Sequence, residues 1–104
     1  MITPMWEIKG YDSSKEIFAD EVPGSMSVDE VSAILERLVC RDLTPHEIVS
    51  GSVRKNYRRY APLLEVHVDR MAEKGTNVTA GENPHYVALR RRIHPMQIEA
   101  PSAQ

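Results

Sequence analysis

The sequence predicts an α+β fold: a small antiparallel sheet of three to four strands, packed on one face by two helices, with a third helix placed over residues 84–93. Three observations lead there. The N-terminal residues alternate polar with apolar at period two, the same alternation returns after residue 63, and two complete helix-start signals lie between them.

The first element is a hairpin. Trp6 and Ile8 alternate with Glu7 and Lys9, so Met5–Gly10 has the period of a half-buried strand. Lys15–Val22 forms its partner across Tyr11-Asp12-Ser13-Ser14. Pro23-Gly24 interrupts the chain, and Ser27-Val28-Asp29-Glu30 then reads as a capping box, in which the Ser hydroxyl and the Glu carboxylate satisfy each other's backbone N–H groups. Val28, Val31, Ile34, Leu35, Leu38 and Val39 follow at three- and four-residue spacings, marking the apolar stripe of a helix of about three turns.

Thr44-Pro45-His46-Glu47 repeats the capping box with Pro at the first helical position. Ser50-Gly51-Ser52 weakens this second helix, which is expected to stop between Gly51 and Lys55. In residues 63–70, Leu64, Val66 and Val68 alternate with Glu65, His67 and Asp69, the pattern of a one-sided strand, and Asn77–Ala80 is its hairpin partner across Gly75. Asn83 as cap, Pro84 at the first position and Arg90-Arg91-Arg92 near the end place a short helix over 84–93. A strand through Tyr86-Val87-Ala88-Leu89 is the alternative. The expected core is Trp6, Ile8, Val31, Ile34, Leu35, Leu38, Ile48, Leu64, Val66 and Val68.

At 104 residues, with 41% apolar and 27% charged residues, residues 1–94 are expected to fold as one domain and residues 95–104 to fray as a disordered tail. Cys40 is the only cysteine, so an internal disulfide is impossible and the Cys-rich zinc templates cannot be built. No apolar run approaches the length of a membrane span, and the first residues lack the basic and apolar regions of a signal peptide. A cytoplasmic location without membrane contact is the expectation.

Charge is sorted along the chain. Residues 1–50 carry four Lys/Arg against ten Asp/Glu, and residues 51–104 carry nine against five, so a net charge of −2 conceals halves of −6 and +4. Seven of the nine cations fall in Arg54-Lys55-Asn56-Tyr57-Arg58-Arg59-Tyr60 and Arg90-Arg91-Arg92. Arg54, Lys55, Tyr57, Arg58, Arg59, Tyr60, Arg90, Arg91 and Arg92 are therefore the candidate partner-binding residues. The partner this composition suggests is an acidic protein surface or a second copy of the chain. RNA or single-stranded DNA comes second, with the cations on phosphates and the tyrosines stacking on bases. The overall negative balance argues against a purely electrostatic nucleic-acid footprint.

Signals for chemistry are sparse. Glu65, His67 and Asp69 share one strand face, with His85 as a further imidazole, and suggest a metal-assisted or acid–base enzyme as a third reading. Same-face neighbours on a strand lie about 6–7 Å apart, which opposes convergence on one ion. Gly81–Tyr86 reads as a turn followed by a helix cap, and Cys40 as a small residue in the helix stripe without a positioned base. Nucleophile-elbow, phosphate-loop and dinucleotide glycine patterns are absent. The sequence therefore reads as a non-enzymatic binding or regulatory module with no cofactor.

Overall fold

The computed structural model describes residues 4–71, 75–82 and 84–91. Strand β1 (Met5–Asp12) and strand β2 (Lys15–Pro23) form the N-terminal hairpin around Ser13-Ser14, and Ser13 takes the left-handed conformation that the tight turn requires. Helix α1 (Val28–Cys40) and helix α2 (Pro45–Ser52) follow, then strands β3 (Val66–Met71), β4 (Gly75–Gly81) and β5 (His85–Arg91). All neighbouring strands are antiparallel, in the order β2-β1-β5-β4-β3.

Both capping boxes form. The Ser27 N–H donates to Glu30 Oε1 at 2.8 Å and Glu30 N–H returns to Ser27 Oγ at 3.1 Å. The corresponding Thr44 and Glu47 bonds are 2.8 and 3.2 Å. α2 ends at Ser52, inside the interval expected from Ser50-Gly51-Ser52.

The main departure is β5. Residues 85–91 are a strand and not a helix, and among the described residues the sheet accordingly has five strands where three to four are expected from the sequence. β5 closes the sheet by pairing with β1 on one side and β4 on the other. A strand paired on both sides gains a hydrogen-bond ladder along each edge, and this tertiary gain outweighs the capping signal of Asn-Pro. Gly81 pairs with His85, so Pro84 leads into a hairpin partner. Asn83, Arg92, His94 and residues 95–104 lie outside the described residues.

The core sits between α1 and the face of the sheet that carries Trp6, Ile8, Val78, Ala80, Tyr86 and Ala88, with Val31, Leu35 and Val39 supplied by the helix. Ile34, Leu38, Leu64 and Val66 pack partly buried against it. Val68 was expected inside but is 42% exposed: it stands on edge strand β3, while α1 lies over β4 and β5. Gly10 belongs to the core by absence. It pairs with Tyr86, and a Cβ there would approach the Tyr86 ring to 2.8 Å. The ring's hydroxyl donates to Asp42 Oδ2 at 3.1 Å, beyond the end of α1. Burial first, and then this bond, push the Tyr86 phenol above its ordinary pKa.

Trp6 anchors the other end of the core. Its indole N–H donates to the Met26 carbonyl at 3.0 Å, and the Arg90 guanidinium lies over its ring at 4.6 Å. Arg90 also donates to the Gly24 carbonyl at 2.9 Å. Gly24 itself is pressed against Pro4, where a Cβ would fall 1.6 Å from the carbonyl oxygen. No helix among the described residues is long and apolar enough to cross a membrane.

Candidate functional site

The basic segment leaves the end of α2 as a series of turns. Tyr57 N–H donates to the Arg54 carbonyl and Tyr60 N–H to the Tyr57 carbonyl, both at 3.0 Å. Ala61 N–H then returns to Ser50 of α2 at 3.0 Å, closing the excursion on the helix that launched it. A side-chain clamp fixes the far end: the Tyr60 hydroxyl donates a short hydrogen bond to Glu65, and Lys55 Nζ lies 3.8 Å from the same carboxylate. The Tyr60 bond holds the Glu65 carboxyl below the usual carboxylate range, helped by Lys55 and His67 against partial desolvation. Reciprocally, Glu65 raises the Tyr60 phenol.

Arg54, Lys55, Tyr57, Arg58 and Arg59 are exposed, Tyr57 at 53%, whereas Tyr60 is half-buried. Among the described residues, Arg54, Arg58 and Arg59 have no carboxylate within ion-pair distance. Elsewhere among the described residues, Lys9 pairs with Glu16 and Arg91 with Glu7. Beside the segment, a groove of about 640 Å³ is bordered by Glu36, Ser52, Lys55, Tyr60, Glu65 and His67.

Arg90 and Arg91 do not extend this cluster. The start of β3 shares a cross-sheet row with Ala80 and Tyr86, whereas Arg90 shares its row with Thr76 and Trp6, four residues further along. With two strand spacings added, the separation is on the order of 16 Å. Arg90 is turned to the helix-covered face, and Arg91, on the other face, lies 3.8 Å from Glu7. Arg92 is outside the described residues.

The expected acidic and imidazole row does not assemble either. Glu65 precedes β3 and is drawn to Tyr60 and Lys55, while His67 and Asp69 continue along the strand on the uncovered face, paired with Thr79 and Asn77. His85 stacks on Tyr11, with ring centroids 5.4 Å apart. Among the described residues no three His, Cys, Asp or Glu side chains gather as a metal-binding group.

Two features of the site escape a reading of charges alone: the Tyr60–Glu65 clamp and the return bond to Ser50. A signal for the clamp exists in the five-residue separation of a phenol and a carboxylate across a turn-rich stretch, but that spacing is common and weak. No protein-family model, characterised protein or solved structure matches this chain.

Proposed function

We propose that the chain is a small binding or regulatory module, acting without chemistry of its own, whose basic segment Arg54–Tyr60 engages an acidic protein surface. The observation that carries this reading is that Arg54, Arg58 and Arg59 stand exposed without a carboxylate partner among the described residues, on a segment tied down at Ser50 and Glu65. A tethered segment loses less conformational entropy on docking than a loose one, and unpaired guanidinium groups offer bidentate contacts to carboxylates. The acidic half of a second copy is one such surface.

The direct test reverses Arg58 and Arg59 to Glu. Complexes recovered from cells with the parent chain are expected to be lost. Complexes unchanged in composition and yield would sink the reading. Light scattering across a salt series separates the second copy from a foreign partner: a mass that stays monomeric at low salt removes self-association.

The exposure of Tyr57 favours single-stranded nucleic acid as a second reading, because that ring is available for stacking between flanking arginines. Anisotropy of labelled RNA and DNA at ~50 and ~200 mM salt tests it. Binding that collapses at the higher salt and weakens in Tyr57→Ala would place nucleic acid first.

A further inference from the structure

We propose that the outer edge of β3 is a strand-pairing site, and that the acidic partner contributes an extended segment of about six residues that adds to the sheet there. The inference rests on the basic-segment reading above and adds how the partner is held.

Among the described residues the two sheet edges are β2 and β3, and they are finished differently. β2 is protected. Its register slips opposite Gly10 and Tyr11, leaving Ile17 as a bulge, Asp20 stands opposite Ile8 on the helix-covered face, and Pro23 ends the strand. Bulges, inward charges and prolines are the devices that deter edge pairing. β3 instead pairs with β4 through an unbroken register from Val66↔Ala80 to Met71↔Gly75, contains no bulge or proline, and carries its one charge on the helix-covered face, Arg70, near the end away from residue 65. Every second residue of an edge strand turns its N–H and C=O outward. Among the described residues, no backbone hydrogen bond covers that side of β3.

Space and charge point the same way. Val68 lies on the helix-covered face opposite fully buried Val78, yet is 42% exposed, so an apolar side chain from an added strand would find a contact already prepared. The groove opens at the head of β3, where Leu64 and Val66 form part of its wall. Glu65, immediately before the strand, is the residue that holds Tyr60 and Lys55, which places Arg54, Arg58 and Arg59 at that same end. Arg70 adds a cation further along, with no carboxylate in ion-pair distance among the described residues, against the single anion Asp69. An alternating apolar segment with its carboxylates clustered beside residue 65 satisfies both the edge and the arginines.

The test uses the full chain and synthetic ten-residue peptides that alternate valine and threonine, with four glutamates at either the N- or the C-terminal end. Titration by anisotropy is combined with amide hydrogen exchange. One peptide polarity is expected to bind and to slow exchange in β3. N-methylation of one alternate set of peptide amides should weaken it about tenfold or more, whereas methylation of the other set should have less than about threefold effect. Arg58→Glu with Arg59→Glu should weaken it to a similar degree.

Binding that needs the arginines but ignores N-methylation and leaves β3 exchange unchanged would overturn the edge site while leaving the basic-segment reading intact. Binding to neither polarity would overturn the edge site, and binding that is sensitive to N-methylation but indifferent to arginine reversal would remove the basic segment's role and with it the acidic partner proposed for this edge. Protection of β3 that appears without peptide and grows with protein concentration would assign the edge to a second copy and overturn the proposal.

Discussion

Two arginine-rich segments of this chain look alike as text and behave as opposites in the fold. Arg54, Arg58 and Arg59 project from turns at the head of β3 without carboxylate partners among the described residues. Arg90 lies across the Trp6 ring and donates to Gly24, and Arg91 approaches Glu7. A guanidinium beside an indole and a backbone carbonyl acts as a packing group, since its planar face and its donors are both engaged. The same group on a solvated turn leaves its donors to water. Local sequence sets how many cations there are, and strand register sets which of them stay exposed.

Removing the platform under Arg90 should have the largest effect. Trp6→Ala deletes a buried indole, its bond to Met26 and the surface on which Arg90 rests, and is expected to cost about 3–5 kcal/mol of folding stability in urea denaturation. Arg90→Ala should cost about 1–3 kcal/mol, and Arg90→Lys should recover only part of it, because an ammonium cannot cover the ring and meet Gly24 with the same planar fork. Arg58→Ala, by contrast, should leave stability within about 0.5 kcal/mol while weakening any acidic partner. Equal loss of stability at Arg58 and Arg90 would erase the distinction.

Tyrosine provides a finer version of the same contrast. Tyr86→Phe removes the bond to Asp42 and should cost about 1 kcal/mol. Because the folded state raises the Tyr86 phenol, its contribution is present below the ordinary phenol value near 10 and is lost as pH rises through the higher folded value, so stability should fall on the alkaline side. The smallest effect belongs to the clamp. Glu65→Gln should return the Tyr60 phenol toward its ordinary value, read as phenolate absorbance against pH, with Tyr86 unmoved. Glu65 has the opposite sign: its lowered carboxyl contributes above its unfolded value and is lost as pH falls through the folded one.

Much of the architecture can be read along the chain where a local rule acts alone. Ser27 with Glu30 and Thr44 with Glu47 define their helix starts through bonds spanning three residues, and alternation at Trp6 and Ile8 identifies β1 without knowledge of its partners. β5 resisted such reading. Its Val87 and Leu89 face away from the helices while Tyr86 and Ala88 face toward them, so apolar residues occur on both sides and the period-two signal is blurred. Val78, Ala80 and Ala88 are small side chains that become core only because α1 lies over their strands. In the candidate site the cations were legible and their pairing was not, because Arg90 meets Trp6 across eighty-four residues of chain.

Elements that arise from neighbours a few residues apart, the two capped helices and the N-terminal hairpin, are settled along the chain, together with the sorting of charge. Tertiary contacts are what make residues 85–91 a strand between β1 and β4, leave Val68 half outside, and pack Arg90 against Trp6 while Arg54, Arg58 and Arg59 stay exposed. The difference is one of range: caps and turns are satisfied locally, whereas strand pairing, burial and ion pairing depend on groups that the fold alone brings within a few ångströms.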